Sequence, residues 1–257
     1  MTKMTDRYSN SNLLDLAKQQ HENKQRSKLP TEIFNLASAG KIYPKSNPLS
    51  SGQVEMRYMT AYDEDILTNA SYIREGIVLD KLLQSLIVSD IDYNTIAQVD
   101  KDSLIIGARI VSYGAEYDVT VIDPKTNNQI NRTVDLNKLK PVPFELESDE
   151  NGEFDYEVSE DLKLKFGFPS SKDIASIEVD NAISAFLSFT IRQVNETRSK
   201  SEIQDFIKYN FLAKDSKKFR DHINDNLPRI DYLYEFEGEN GSTFKAMFQI
   251  GSDLFWL

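Results

Sequence analysis

The sequence predicts an α+β fold made of two subdomains, each with helices packed against short antiparallel strands and hairpins. Two kinds of pattern predict it. Residues 53–58 and 116–123 alternate between apolar and polar side chains, as half-buried strands do, whereas residues 73–88 repeat apolar side chains at the spacing of a core-packed helix. Both halves of the chain combine strands with helices and end on a hairpin. We therefore expect a polar N-terminal arm over residues 1–28, an N-terminal subdomain over 29–143 and a C-terminal subdomain over 144–257.

In the N-terminal half we predict a strand followed by three helices. Thr60, with Asp63 three residues later, has the pattern of a capping box and predicts the start of the first helix. The second helix is predicted over 73–88 and the third over 101–113, with Gly114 as its C-cap. The preceding segments are predicted as a helix over 12–26, extended and turn-rich chain over 29–59 and, within it, a strand over 53–58.

In the rest of the chain, hairpins flank a long helical region. Residues 116–123 and 129–136 predict the first hairpin because both alternate in polarity and a turn-forming segment joins them. Ser201 and Gln204 have the pattern of a second capping box. The other predicted segments are a linker over 138–143, strands over 154–158 and 162–168 with Lys–acid pairs between them, helical chain over 172–226 with its last helix over 214–226, and a final hairpin that turns at 238–241.

Composition limits the class of protein. The chain has 257 residues, 40% of them hydrophobic and 28% charged, so it is long enough to bury a core without disulfides or metals. Its net charge of -11 provides no basic footprint for nucleic acid, and the lack of cysteine excludes thiolate chemistry. No apolar run reaches the roughly 18–20 residues that span a bilayer. Residues 1–10 lack a signal-peptide core, so we expect a protein that stays in the cytoplasm.

The residues predict no catalytic, cofactor-binding or metal site. The chain has two histidines: His21 lies in the N-terminal arm, and we interpret His222 as a surface side chain of a helix. Residues 149–160 have oxygen ligands at the spacing of a calcium loop, but Phe154 occupies the position where the turn needs glycine. No glycine-rich phosphate-binding motif is present. A hydrolase or metalloenzyme is therefore the least favoured interpretation.

A family resemblance adds to this picture. Residues 59–67 read MTAYDEDIL and residues 73–83 read IREGIVLDKLL, a Thr-led acidic helix start followed by a Gly-hydrophobic-Asp-Lys-Leu-Leu helix. This pair resembles the baseplate-hub and tail-assembly protein family of T-even-type myophages. The similarity covers about residues 53–257, and its other segments are 104–114 with 116–117, 134–136, 168–172, 215–220, 227–231 and 255–256. Many relatives carry cysteine pairs in two hairpins, but this chain has no cysteine, so the resemblance implies no zinc-ribbon role here.

The resemblance implies contacts with partners rather than chemistry. We expect Arg109 to pair with an acid, within the fold or across an interface. The acids of the first helix are explained in part by capping, and residues 255–257 form either a last strand in the second core or an exposed anchor. The candidate interface residues are Asp63, Glu64, Asp65, Arg74, Arg109, Tyr113, Tyr117, Arg229, Phe255 and Trp256.

The function that the resemblance implies is that of a non-enzymatic structural protein of a contractile-tail baseplate, at its hub, required for baseplate and tail assembly. Its expected partners are other phage tail proteins (hub, tape-measure or wedge subunits), with no nucleic acid, no membrane and no cofactor. An oligomeric state within the baseplate is compatible with this function. The alternative is a transient tail-assembly chaperone that is not retained in the virion. The expected locations are the host cytoplasm during assembly and, for a retained protein, the virion tail baseplate.

Overall fold

The computed structural model describes residues 29–177, 179–248, 250 and 252–255, and within them it confirms an α+β fold. The predicted helix over 12–26 lies outside the described residues. Short antiparallel sheets alternate with helices along this part of the chain. The helices are α1 Ala61–Leu67, α2 Ala70–Glu75, α3 Val78–Leu86, α4 Gln98–Tyr113, α5 Ser171–Ala175, α6 Ala182–Thr190, α7 Lys200–Asp205 and α8 Ala213–Asp225. The strands are β1 Thr31–Asn35, β2 Gln53–Arg57, β3 Glu116–Ile122, β4 Gln129–Asp135, β5 Lys140–Pro141, β6 Phe154–Ser159, β7 Leu162–Phe166, β8 Ile191–Val194, β9 Ile230–Asp231, β10 Leu233–Glu237 and β11 Thr243–Met247.

The first sheet joins β1 to β2, although the sequence predicts only the second of these strands. Phe34 lies opposite Val54 and Glu32 lies opposite Met56 in an antiparallel register. Val54 and Met56 are fully buried, and α4 packs against both strands. No side chain of β1 is fully buried, so its sequence lacks the alternation that reveals a half-buried strand.

Helices α1 to α3 follow the sheet. The predicted capping box is confirmed, with the Thr60 N–H donating to the Asp63 carboxylate at 2.8 Å. The prediction of one helix over 73–88 is wrong, because Gly76 adopts a φ of 70° and ends α2. Ile73 is consequently exposed, whereas the leucines of α3 that enter the core are Leu82, Leu83 and Leu86.

The predicted third helix is confirmed as α4, with Gly114 as its C-cap. Asp100 in its first turn is buried and accepts hydrogen bonds from the Ser38 N–H at 2.8 Å and from the Ser38 and Tyr43 hydroxyls, each at 2.7 Å. Burial raises the pKa of the Asp100 carboxyl, although these donors act to lower it. The network ties the loop between β1 and β2 to the start of α4.

The predicted hairpins β3–β4 and β10–β11 are both confirmed, and their tips meet. Asp123 at the end of β3 accepts the N–H groups of Lys125 at 2.8 Å and of Glu239 in the last hairpin at 2.9 Å. These bonds lower the pKa of Asp123. Part of the predicted linker over 138–143 is in fact a strand, because β5 pairs with β9.

A three-stranded sheet forms the centre of the C-terminal region. The predicted pairing of β6 with β7 is confirmed, including a Lys–acid pair in which Lys165 lies 3.1 Å from Asp155. The helical prediction over 172–226 is wrong at Ile191–Val194, which forms β8 beside β7. Ile191 fits the apolar spacing of the preceding helix, so the change from helix to strand leaves no signal in periodicity.

The start of α7 also differs from the prediction. Its N-cap is Ser199 rather than Ser201, so the predicted capping box is wrong. Residues Phe206–Asn210 continue as a turn of π-helix, in which the Phe211 N–H donates to the Phe206 carbonyl at 2.8 Å. The rings of Phe206 and Phe211 stack at 5.0 Å. The last predicted helix is confirmed as α8.

The described elements share a continuous apolar core that includes a cluster of phenylalanines around β6 and β7. The rings of Phe154 and Phe166 lie 5.3 Å apart, and Phe219 of α8 meets Phe166 edge-on at 5.5 Å. Hydrogen bonds also join the two sides of the predicted boundary at residue 143. Ser171, for example, donates its N–H to the Ile96 carbonyl at 3.0 Å. The division into two subdomains stays a prediction.

Gly152 lies where the loop before β6 meets the segment after β1, and we expect Gly152→Ala to be strongly destabilising. Its φ is +71°, and an added Cβ would lie 2.6 Å from the Tyr43 carbonyl carbon, which is backbone and cannot move cheaply. Left-handed strain and overpacking together should lower the free energy of unfolding by about 2–4 kcal/mol in urea denaturation. Gly76→Ala is the matched control, because Gly76 has a φ of +70° with nothing within 4 Å of the added Cβ. Equal losses in the two variants would contradict this account.

Candidate interaction surface

The end of α4 brings several predicted interface residues together, beginning with Arg109. Its side chain is 1% exposed, and its guanidinium donates to the carbonyls of Gly114 at 2.5 Å and Glu116 at 3.0 Å. Within the described fold Arg109 therefore pairs with backbone carbonyls rather than with an acid, and a pairing across an interface stays a prediction. It satisfies backbone acceptors where α4 turns into β3, and burial lowers its pKa against the opposing effect of Tyr113 and Tyr117.

Tyr113 connects this turn to α1 and to the end of the chain. Its hydroxyl donates to Glu64 at 3.1 Å, and its ring lies 5.5 Å from the Arg109 guanidinium. Phe255 meets the ring edge-on at 6.4 Å. Burial, followed by the bond to Glu64, raises the pKa of Tyr113. Glu64, Arg109, Tyr113 and Phe255 thus form one cluster at the end of α4.

Phe255 is buried, but in a 3₁₀ helix over Ser252–Phe255 rather than in a last strand. Its contact with Tyr113 attaches this segment to the N-terminal half of the chain. The other part of the predicted anchor, Trp256, lies outside the described residues.

The three acids of α1 have different environments. Asp63 is fully buried and forms a two-bond ion pair with Arg57, with both nitrogen–oxygen distances at 2.7 Å. Ser85 donates a further hydrogen bond to Asp63 at 2.7 Å. Burial acts to raise the pKa of Asp63, but the bonds from Arg57, Ser85 and the Thr60 N–H prevail and lower it to about 2.

Glu64 and Asp65, the other two acids of α1, are exposed and can face a partner.

Arg57 was not among the residues predicted from the sequence, because it occupies a polar position of an alternating strand. Its pairing with Asp63 depends on how α1 folds back on β2, which no sequence spacing shows.

Of the remaining candidate residues, Tyr117 acts on Arg109 electrostatically, whereas Arg74 and Arg229 are surface side chains. Arg74 on α2 and Arg229 before β9 are exposed, whereas Tyr117 is buried as an inward-facing residue of β3. A role of these residues in partner binding stays a prediction.

Large exposed apolar side chains mark surfaces that sequence reasoning missed. Tyr62 on α1 is 67% exposed, and Ile73 on the next helix, α2, is 48% exposed. A second group lies at the π turn and just after it, where Tyr209 is 68% and Leu212 60% exposed. A third consists of Leu233 and Met247, which face each other across β10 and β11. Ile73 fits an apolar helical stripe in the sequence, so its exposure appears only once the break at Gly76 is known.

His222 is not the surface side chain that the sequence suggested. It is half-buried on α8, with its ring 4.8 Å from that of Tyr156 and 6.0 Å from that of Phe166. Burial lowers its pKa against the opposing charge of Asp225. The neutral ring is therefore part of the aromatic packing around β6 and β7.

A polar cleft of about 870 Å³ lies between residues 42–47, 92–97 and the β6–β8 region. Several of its charges satisfy each other, as when Arg198 and Glu153 form two bonds at 2.8 and 3.0 Å. Asp173 caps α5 through Ser170. Within the described ranges, no group of three or more His, Cys, Asp or Glu side chains could hold a metal ion. No helix described by the structure has the length and apolarity to cross a membrane.

Comparison with known proteins identifies a family. The family model described as "T4 bacteriophage base plate protein" matches residues 41–250, which is most of the chain. No curated protein and no solved structure matches the sequence.

Proposed function

The chain belongs to the T4 bacteriophage base plate protein family, and on this premise we propose that it is a non-enzymatic structural component of the contractile-tail baseplate, located at its hub and retained in the virion. The observation that carries the proposal is the match over residues 41–250, which runs from the loop between β1 and β2 to the end of the last hairpin. The region that matches the family model is thus nearly the whole described fold rather than one small part of it.

The surface of the fold supports a function in assembly with other tail proteins. Its core is held by buried polar networks around Asp63 and Asp100, so the exposed helices rest on a fixed framework. Apolar side chains such as Tyr62 and Tyr209 remain exposed on that framework. Exposed aromatic side chains are typical anchors of protein–protein interfaces, and hub, tape-measure or wedge subunits are the proposed partners.

Loss of the protein tests this proposal. In infections with phage that lacks the protein, we expect electron microscopy to show no complete baseplates or tails, and expression of the wild-type chain in trans should restore them. The Gly76→Ala variant should restore them as well, because nothing lies within 4 Å of the added Cβ. Normal tails in the absence of the protein would contradict a structural function.

A further inference from the structure

Residues 206–220 form a basic segment of this acidic chain. They contain five lysines or arginines and one acid, whereas the whole chain has a net charge of -11. Within α8, Lys214, Lys217 and Lys218 lie at helical spacings of three and four, so they share one side of the helix. The buried side chains of α8 are Ser216, Phe219 and Ile223, which lie on the opposite side. The lysines therefore face away from the core.

Two of these lysines keep their charge available. Lys217 forms an ion pair with Asp221 at 2.6 Å. Among the described residues, Lys214 and Lys218 have no ion pair, and both are exposed. Lys208, in the π turn just before α8, is also exposed and lies 5.0 Å from the centre of the Tyr209 ring.

Apolar side chains adjoin this charge. The π turn and the residue that caps α8 expose Tyr209 and Leu212. Helix α6 packs against the π turn, and the first turn of this helix carries Ile183, which is 55% exposed. We call this surface the basic face, defined by Ile183, Lys208, Tyr209, Leu212, Lys214 and Lys218.

A surface of opposite character lies on α1 and α2. Tyr62 and Ile73 are exposed on these two helices, and so are the acids Glu64, Asp65 and Glu75. Arg74 is the single cation exposed on these two helices. No side chain of α2 is buried, so this helix rests on the surface of the fold. We call this surface the acidic face, defined by Tyr62, Glu64, Asp65, Ile73 and Glu75.

We propose that the acidic face of one copy binds the basic face of a second copy. Each face combines aromatic and aliphatic anchors with exposed charge, and the two charges are opposite, which is the complementarity that selects a partner. Where each copy uses one face per contact, the contact is head-to-tail. Repetition of such a contact gives a ring where the rotation closes and a chain where it does not.

The first test is sedimentation velocity of the purified full chain over a wide concentration range. We expect the average sedimentation coefficient to rise with concentration and to fall back when salt is raised from 0.1 to 1 M, since the screening length then shrinks from about 10 to about 3 Å. A monomer at every concentration in low salt would overturn the proposal. The readout needs only the purified chain, so it does not depend on the proposed baseplate function.

Charge reversal tests the two faces directly. The first variant reverses the basic face with Lys208→Glu, Lys214→Glu and Lys218→Glu, and the second reverses the acidic face with Asp65→Lys and Glu75→Lys. We expect the self-association of each variant alone to be weaker than that of wild type by about tenfold, because the two contacting faces then carry like charges that repel each other. Mixing the two variants should restore association, since each supplies the charge that the other needs. Restoration also shows that both variants are folded.

The matched control reverses three exposed lysines elsewhere, with Lys125→Glu, Lys138→Glu and Lys140→Glu. It changes the net charge as much as the basic-face variant does, and we expect its association to equal that of wild type. An equal loss in this control, or a mixture that stays monomeric, would overturn the assignment of the two faces.

Discussion

Replacing Arg57 with methionine is expected to lower the free energy of unfolding by about 3–5 kcal/mol, because it leaves the Asp63 carboxylate buried without its cation. Arg57 and Asp63 are 2% and 0% exposed, so solvent cannot replace the lost partner. Urea denaturation of Arg57→Met against wild type measures the loss. A loss below about 1 kcal/mol, the usual value for an exposed ion pair, would contradict the buried pair.

The double variant Arg57→Met with Asp63→Leu is the matched control for this result. It removes both charges, and apolar pairs often replace buried ion pairs at little cost. We expect it to recover a large part of the stability lost in Arg57→Met. A double variant as unstable as the single one would show that the loss comes from packing of the Arg57 stem and not from the orphaned charge.

The same pair predicts the direction of acid unfolding. The folded-state pKa of Asp63 is about 2, below its ordinary value of 3.8, so the stability it contributes is present above pH 3.8 and is lost as the pH falls through 2. This difference between the folded and unfolded pKa values corresponds to roughly 2 kcal/mol of stability at neutral pH. We expect the unfolding free energy of wild type to fall more steeply between these pH values than that of the double variant. Equal slopes in a urea series against pH would contradict this.

The second large effect is expected for Asp100→Ala, which should lower the free energy of unfolding by about 3 kcal/mol. The substitution removes the acceptor of three hydrogen bonds. The Ser38 N–H and the O–H groups of Ser38 and Tyr43 then have lost the acceptor to which they donate, at about 1–3 kcal/mol for each unsatisfied donor. Tyr43 can keep its bond to the Ala97 N–H, which limits the loss. Thermal unfolding together with amide exchange over residues 36–43 measures it.

Asp102→Ala is the control, since Asp102 is an exposed acid on the same helix, and we expect a change within about 0.5 kcal/mol. Asp100 also has the opposite pH dependence from Asp63. Its folded-state pKa is raised by burial, so its protonated form is the more stabilising one, and that contribution is lost as the pH rises through the raised value. Loss of protection throughout the chain, rather than first in residues 36–43, would contradict a local tie between this loop and α4.

Elements with their own local signals could be predicted from the sequence. The β3–β4 and β10–β11 hairpins, helix α4 with Gly114 at its end, and the capping box of Thr60 and Asp63 are all specified within a few residues. Elements that depend on distant partners could not be predicted. Strand β1 is stabilised by pairing with β2, and β8 is stabilised by pairing with β7. The sequences of β1 and β8 lack a clear alternation of apolar and polar residues that would predict either strand.

The candidate site shows the same division. The exposure of Glu64 and Asp65 follows from their place on a short capped helix. The burial of Arg109, in contrast, depends on backbone carbonyls of the turn after α4, and the burial of Arg57 depends on the Asp63 carboxylate of α1. The exposed aromatic Tyr209 depends on the π turn, which shifts the helical phase by one residue relative to an α-helix. Periodicity measured on an ideal helix therefore assigns such a side chain to the wrong face.

If the protein is a structural component of the baseplate, it is present in purified mature phage particles, where quantitative mass spectrometry can count it. The copy number should be measured against a baseplate subunit of known stoichiometry. We predict a fixed number of copies in every particle, which would also give the symmetry class of its ring or subassembly. Absence from mature particles, with presence in assembly intermediates, would contradict a structural function and identify the protein as a transient assembly chaperone.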